Sequence, residues 1–185
     1  MSFLDENKAK FDNLKVSLEV QQRDHLRRKA NGGNSIVFTY NPDEESQYIS
    51  KAKEILLPDK FKFISIAELL VKFIDQDGID NFETYYYEFL ETTHVIFNSD
   101  DSNTDLMDLI IKEIQEAYEI GLTPILIRTG ALYGTGIENV NIMEHKSVIN
   151  MKVPLVIFYP SKIVDENMYF LNFKPASRYR CNVIE

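Results

Sequence analysis

Two near-continuous apolar segments in the last third of the chain constrain its fold more than any other feature. Residues 124–130 read Pro-Ile-Leu-Ile-Arg-Thr-Gly, and residues 153–160 read Val-Pro-Leu-Val-Ile-Phe-Tyr-Pro. Neither segment alternates polar with apolar residues, so neither can form a strand with one wet face. Short β-branched segments closed by Gly or Pro are typical of strands buried on both faces, as in a parallel sheet between helices. Residues 131–152, between the two segments, are long enough for a crossover helix.

The rest of the chain alternates between predicted helices and strands, which favours a mostly parallel sheet. Asn41 suits a helix N-cap with Pro at the first turn, Ser65 and Glu68 have capping-box spacing, and Gly121 ends the best-defined amphipathic helix. Besides the two apolar segments, we predict helices over 3–29, 42–57, 66–77, 80–90 and 106–120, and strands over 35–40, 61–64, 168–173 and 179–184. Residues 93–97 are either a strand, which we favour, or the end of the preceding helix.

These elements predict an α/β protein, built as a single three-layer domain over residues 1–185 with a mostly parallel sheet flanked by helices. Residues 1–30 form an N-terminal helix, residues 35–160 form the α/β core, and residues 165–185 add an antiparallel extension at the sheet edge. Open α/β sheets bind ligands at the carboxyl ends of their strands. We therefore expect any functional site to begin at the ends of the two apolar segments.

The composition disfavours several classes of protein. The net charge of −9, from 29 acids against 20 Lys and Arg, argues against a free-standing nucleic-acid binder. The lone cysteine, Cys181, excludes an internal disulfide and is expected to be a buried structural thiol in a reducing cytoplasm. The first residues lack a signal-peptide pattern, and no apolar run approaches the roughly 20 residues of a membrane span. We expect a cytoplasmic globular protein.

A glycine-rich loop, Gly130 to Gly136, directly follows the first apolar segment. Backbone N–H groups in such a loop can approach a phosphate. The loop lacks the Gly-Lys-Ser/Thr of a P-loop and the spacing of a dinucleotide-binding fingerprint. We favour the interpretation that the glycines provide turns. A degenerate nucleotide- or phosphate-binding protein that uses this loop is the alternative.

Arg128 lies within the first apolar segment, close to its polar end. A buried guanidinium is unfavourable unless it is paired, so Arg128 either emerges at the strand tip or meets a carboxylate. Asp43 and Glu44 follow the predicted first strand and would be near neighbours if the two strands are adjacent. A structural salt bridge is favoured over an anion-binding role.

Side chains for metal or nucleophilic chemistry are sparse. None of the histidines, His25, His94 and His145, has a second His or Cys three or four residues away, so a zinc site is not expected. No nucleophile elbow and no supported Ser/His/Asp order is present. We predict no catalytic residue, no metal and no cofactor. The basic cluster at residues 23–29 is expected to be solvated or to dock an acidic partner, and the net charge disfavours DNA binding by it.

The order of the motifs is similar to that of a known family. Residues 38–44 read Phe-Thr-Tyr-Asn-Pro-Asp-Glu, residues 130–133 read Gly-Ala-Leu-Tyr, His145 precedes Val-Pro, residues 156–160 read Val-Ile-Phe-Tyr-Pro, and the chain closes on Tyr179-Arg180. From about residue 36 onward the chain resembles the BrxB-domain family, small proteins encoded in the BREX bacteriophage-exclusion loci of bacteria and archaea. It looks like a divergent member, because Met143 and Ser161 stand where the family usually has Arg and Gly, and the tail also differs.

The resemblance implies a non-catalytic, or at least catalytically unassigned, subunit of a phage-defence system. Such systems combine a DNA methyltransferase, a PglZ-type phosphatase-like protein and a large ATPase, so the expected partners are the PglZ-type protein and other BREX components. Aromatic and Arg side chains are enriched where proteins dock. The predicted ligand- or partner-binding residues, taken from the motifs and the strand ends, are Asn41, Asp43, Arg128, Gly130, Tyr133, His145, Tyr159, Tyr179 and Arg180.

Overall fold

A computed structural model describes residues 3–19, 23–97 and 105–185. Within these ranges, five strands run parallel in the order β2-β3-β4-β1-β7, and β5 and β6 pair antiparallel beyond the end of β4. The strands are β1 (Ser35–Tyr40), β2 (Phe61–Ser65), β3 (Thr123–Ile127), β4 (Leu155–Val164), β5 (Asn167–Phe170), β6 (Lys174–Ala176) and β7 (Cys181–Ile184). The helices are α1 (Phe3–Leu18), α2 (Arg23–Lys29), α3 (Glu45–Ile55), α4 (Ile66–Asp77), α5 (Ile79–Glu88), α6 (His94–Phe97), α7 (Leu106–Glu119), α8 (Asn139–Met143) and α9 (Lys146–Ile149). No helix in the described ranges has the length and apolarity needed to cross a membrane.

The sheet separates two hydrophobic cores, because successive residues of a strand point to opposite faces. On one face, α1, α2 and α3 pack over Ile125, Ile127 and Phe158. On the other face, α4 to α9 pack over Leu126 and Ile157. Each apolar segment therefore contributes side chains to both cores. This arrangement confirms the predicted α/β domain with a mostly parallel sheet between helices.

The predicted helix boundaries are largely confirmed. The Ser65 hydroxyl accepts a hydrogen bond from the N–H of Glu68 at 3.3 Å at the start of α4. Gly121 follows α7 in the left-handed region, with φ +83°. Asn41 precedes a 3₁₀ turn over Pro42–Glu44, but its side chain does not cap that turn. Its Oδ1 instead accepts a hydrogen bond from Asn172 at 3.3 Å.

The strand predicted over 93–97 is wrong, because this segment forms the short helix α6. The N–H of Ile96 donates to the carbonyl of Thr93 at 3.1 Å, which closes a helical turn. Ile96 and Phe97 are both buried in the same core. A strand would have placed these consecutive side chains on opposite faces, so packing decides against the local β propensity.

The antiparallel extension is confirmed, but it is made of different residues from those predicted. The distal half of β4 pairs with β5, and β5 pairs with β6. The last strand, β7, is instead parallel to β1, with Ser35 opposite Cys181. Residues 177–180, after β6, connect this hairpin to β7, whose first residue lies opposite the first residue of β1.

Two predicted helices are shorter than expected. The predicted N-terminal helix over 3–29 is divided into α1 and α2, and residues 20–22 lie outside the described ranges. The crossover between β3 and β4 contains a 3₁₀ turn, Thr129–Leu132, followed by α8 and α9. Gly134 and Gly136 adopt positive φ between these pieces, which a continuous right-handed helix does not allow.

Candidate functional site

The predicted site residues lie in two separate places. Asn41, Asp43, Arg128, Gly130 and Tyr133 follow strands β1 and β3 and therefore lie at the carboxyl edge of the sheet. The remaining candidates do not join them. Tyr159 lies within β4 in the core, whereas His145, Tyr179 and Arg180 lie near the amino edge.

At the amino edge, structural contacts account for two of the predicted site residues, Arg180 and His145. Arg180 directly precedes β7, and a Cβ on Gly33 would lie 1.9 Å from the Arg180 carbonyl oxygen. Its guanidinium lies over the Tyr179 ring, 5.4 Å from the centroid, and its Nε is 3.7 Å from a carboxylate oxygen of Glu144. His145 caps α9, since its Nδ1 accepts a hydrogen bond from the N–H of Ser147 at 3.3 Å. These contacts are structural and stabilise the chain.

Tyr159 is a core residue. Its ring stacks on Phe170, with centroids 4.6 Å apart, and its side chain is buried. Burial raises the pKa of the Tyr159 phenol above its ordinary value, with a smaller contribution from the charge of Glu138. The ring is therefore not available to a partner.

At the carboxyl edge, Arg128 forms the predicted structural salt bridge, but with a different acid. Its Nη1 donates to Oε2 of Glu45 at 2.7 Å, and Oε1 of the same carboxylate accepts from the Tyr40 hydroxyl at 2.9 Å. Asp43 and Glu44, the predicted partners, lie on the 3₁₀ turn before α3. Burial and the adjacent Glu45 carboxylate raise the pKa of Tyr40. The Arg128 guanidinium is thus paired with a carboxylate of the same chain at the surface of the carboxyl edge.

Several backbone N–H groups of the glycine-rich loop, and one directly after it, donate to acceptors within the loop or just before it. The amides of Ala131, Tyr133 and Thr135 donate to the carbonyls of residues 128, 130 and 132, respectively. The amide of Ile137 donates to the Thr135 hydroxyl at 3.2 Å. A phosphate site needs free N–H groups that point at the anion. The loop geometry therefore favours turns over a phosphate cradle.

Gly136 has a specific packing role. A Cβ at this position would lie 2.3 Å from the Cβ of His94, and the residue has φ +78°. The close approach of the loop to α6 thus requires glycine. Gly130 differs, because the nearest atom to a Cβ there would be Cδ2 of Leu171, at an ordinary 3.6 Å.

The crevice where an open α/β sheet normally binds ligands is occupied by the chain itself. The connections leave neighbouring strands β1 and β4 toward opposite faces, and such a switch point is the usual ligand crevice. Here the turn between β5 and β6 covers it. The N–H of Leu171 donates to the carbonyl of Pro160 at 2.8 Å, and the Asn172 amide donates to Asn41 at 3.3 Å. Leu171 and Asn172 both adopt left-handed φ values, +51° and +69°.

In front of this plugged crevice, the edge presents exposed aromatic rings. Tyr133 is 54% exposed and Phe173 is 59% exposed, and their rings meet edge to face with centroids 5.5 Å apart. They border an open groove of about 560 Å³, whose other walls are Thr93, His94, Gly134, Gly136, Lys174 and Pro175. Tyr133 was predicted from the sequence, whereas Phe173 was missed because it was assigned to a strand. Pro175, two residues later, was the available signal, because proline is confined to edge strands, strand starts and bulges.

The described residues contain no obvious catalytic apparatus. No group of three or more His, Cys, Asp or Glu within the described ranges could hold a metal ion. Cys181 is buried, its Sγ–H donates to the carbonyl of Arg178 at 3.3 Å, and burial raises its pKa to about 12. A thiol in such a state is a poor nucleophile. The carboxyl edge offers an aromatic, partly apolar surface.

Neither the protein-family models nor the curated proteins nor the solved structures include a match to this chain. The fold and the geometry of its edges are therefore the observations from which a function can be argued.

Proposed function

We propose that this chain is a non-catalytic, partner-binding subunit and that the carboxyl edge around Tyr133 and Phe173 is its docking surface. The observation that carries the proposal is the occupied crevice. Leu171 and Asn172 fill the switch point from within, while two aromatic rings directly in front of it remain exposed. Exposed aromatic pairs are common anchors of protein interfaces.

The resemblance to the BrxB-domain family supplies the finer proposal. On that basis the chain is a subunit of a BREX-type defence complex, and its partner is a PglZ-type phosphatase-like protein. The groove beside Tyr133 is open and bordered by Gly, Pro, His and Lys residues. It suits an inserted side chain or loop of a protein better than an enclosed small molecule, which usually has most of its surface buried.

Co-expression with a PglZ-type protein from the same genome tests this proposal. We expect the two proteins to co-elute in gel filtration, and the double variant Tyr133→Ala/Phe173→Ala to elute separately. Tyr179→Ala is the matched control, because Tyr179 is 51% exposed and lies near the opposite edge of the sheet. Separate elution of the wild-type proteins would contradict the proposed partner. A loss of co-elution with Tyr179→Ala equal to that of the double variant would contradict the proposed docking surface.

A further inference from the structure

Residues 73–111 account for the whole negative net charge of the chain. Residues 73–111 contain ten Asp and Glu and no Lys or Arg, whereas the rest of the chain contains nineteen acids and twenty Lys and Arg. Six of the ten acids lie between residues 75 and 91, on and around α5. Among the residues that the structure describes, none of these six forms an ion pair.

Helix α5 is packed on one side only. Phe82 contacts the rings of Phe73 and Phe97, with centroids 6.2 and 6.0 Å away. All of α5 is described, and every residue in it is at least partly exposed. The helix is thus held by a few half-buried aromatic side chains, and most of its surface faces outward.

The outward surface of α5 is apolar as well as acidic. Ile79 and Tyr87 are each 62% exposed, and Leu90, just after the helix, is 53% exposed. Ile79, Glu83 and Tyr87 are spaced four residues apart, so they line one side of the helix. Large apolar side chains that cluster on an exposed helix are typical of interaction sites.

The charge indicates what kind of surface would cover this helix. Uncompensated carboxylates in a short helix repel one another and weaken it. A surface rich in Lys and Arg would neutralise them, while apolar contacts with Ile79, Tyr87 and Leu90 would supply the desolvated centre of the interface. A second copy of the same surface would bring like charges together, and a nucleic acid would do the same.

We propose that the α5 surface, consisting of Ile79, Glu83, Tyr87, Glu88, Leu90 and Glu91, docks a Lys- and Arg-rich protein surface. This second interaction surface shares no residue with the groove around Tyr133 and Phe173. The inference does not depend on which partner the carboxyl edge binds.

The test uses an amphipathic helical peptide with Lys and Arg on one face and Leu on the other, titrated into the ¹⁵N-labelled full chain. We expect amide shifts to cluster at residues 79–91. Glu83→Lys/Glu88→Lys should weaken binding at least about tenfold, and Tyr87→Ala should weaken it several-fold at unchanged charge. Tyr133→Ala/Phe173→Ala should bind the peptide like the wild type, which separates this proposal from the preceding one.

The charge-matched control is Asp59→Lys/Glu119→Lys, which changes the net charge equally at two exposed positions elsewhere. It should leave peptide affinity within about twofold, because distant charges are screened over about 10 Å at ordinary salt. An equal loss of peptide affinity in both double variants, or amide shifts spread over the whole chain, would overturn the proposal. So would a dimer in sedimentation that Glu83→Lys/Glu88→Lys dissociates, since the occupant would then be a second copy.

Discussion

Arg128 reaches across strand β4 to Glu45, and the 2.7 Å contact joins the end of β3 to the start of α3. The Glu45 carboxylate also accepts the Tyr40 hydroxyl, so one acid links three elements at the carboxyl edge. Arg128 adopts φ +56°, a left-handed conformation that is unfavourable for a side-chain-bearing residue. The contact therefore stabilises a strained strand end rather than marking an open anion site.

A double-mutant cycle of Arg128→Ala and Glu45→Gln measures this contact. Glu45 is mostly buried, but Arg128 is exposed, so we expect a coupling free energy of about 1 kcal/mol, typical of a partly exposed pair. Urea unfolding gives the four free energies. The coupling should shrink at about 1 M NaCl because the pair is reached by solvent ions. A coupling near zero at low salt would contradict the assignment of a structural ion pair.

Asn34 should be a stability determinant. Its buried amide nitrogen lies 3.2, 3.0 and 2.8 Å from the carbonyl oxygens of Val148, Met151 and Val153. These hydrogen bonds fix the segment of the chain that leads into β4. Asn34→Asp removes the donors at nearly constant volume and should lower the free energy of unfolding by about 2 kcal/mol or more, since buried carbonyls lose their partners. Urea denaturation measures the loss. A change below about 0.5 kcal/mol would contradict this role.

The glycine-rich loop gives a matched pair of variants. Gly136→Ala should destabilise the protein by about 2 kcal/mol or more, because the new methyl group meets His94 at 2.3 Å and φ is positive. Gly130→Ala has room and should change stability by less than about 1 kcal/mol. Thermal unfolding compares the two variants.

The same loop allows a direct test of nucleotide or phosphate binding. Because several of the loop amides donate within the loop or to the residue before it, we expect no rise in the melting temperature with ATP, GTP or inorganic phosphate. A saturable rise that Gly130→Ala abolishes would support the alternative of a degenerate phosphate-binding protein instead.

Cys181 should resist thiol reagents in the folded protein. Burial raises its pKa to about 12, so very little thiolate exists at pH 8, and the sulfur is shielded as well. Labelling with a chromogenic disulfide should be slow in buffer and fast in urea. Rapid stoichiometric labelling of the native protein at pH 8 would show that the β7 edge is open.

The buried tyrosines should make the protein sensitive to alkali. Burial raises the pKa of Tyr40 and Tyr159 above the ordinary value of 10.0. Above about pH 10 the unfolded chain loses these protons while the folded chain keeps them, so the free energy of unfolding falls as pH rises. Each such phenol contributes a slope of up to about 1.4 kcal/mol per pH unit. Tyr159→Phe should reduce the slope measured by urea unfolding between pH 9 and 11, and an unchanged slope would argue that Tyr159 titrates normally.

The buried parallel strands were predictable because their signal is local. A strand covered on both faces needs an uninterrupted apolar run, and residues 124–127 and 155–159 provide it. The direction of β7 was not predictable in the same way. It depends on the path of the chain between the end of β6 and Cys181, which lies opposite the first residue of β1, and no short segment encodes that path.

The contacts of the site residues were likewise only partly predictable from local sequence. An acid near Arg128 was predicted, yet β4 lies between β1 and β3, and the 3₁₀ turn places Glu45 rather than Asp43 at the guanidinium. Tyr133 was predicted, but its ring partner Phe173 lies 40 positions later in the chain. Contacts between distant segments depend on strand order, which periodicity does not reveal.

The dissociation constant between the purified chain and a PglZ-type protein, measured by isothermal titration calorimetry, tests the central claim most directly. We predict that Tyr133→Ala/Phe173→Ala weakens binding by about 30-fold or more, as expected when an aromatic anchor is lost. Tyr179→Ala should leave the constant within about threefold of the wild-type value, as expected of an aromatic outside the interface. Wild-type binding that both variants match would contradict docking at the carboxyl edge, and a wild-type chain that binds no such protein would contradict the proposed function itself.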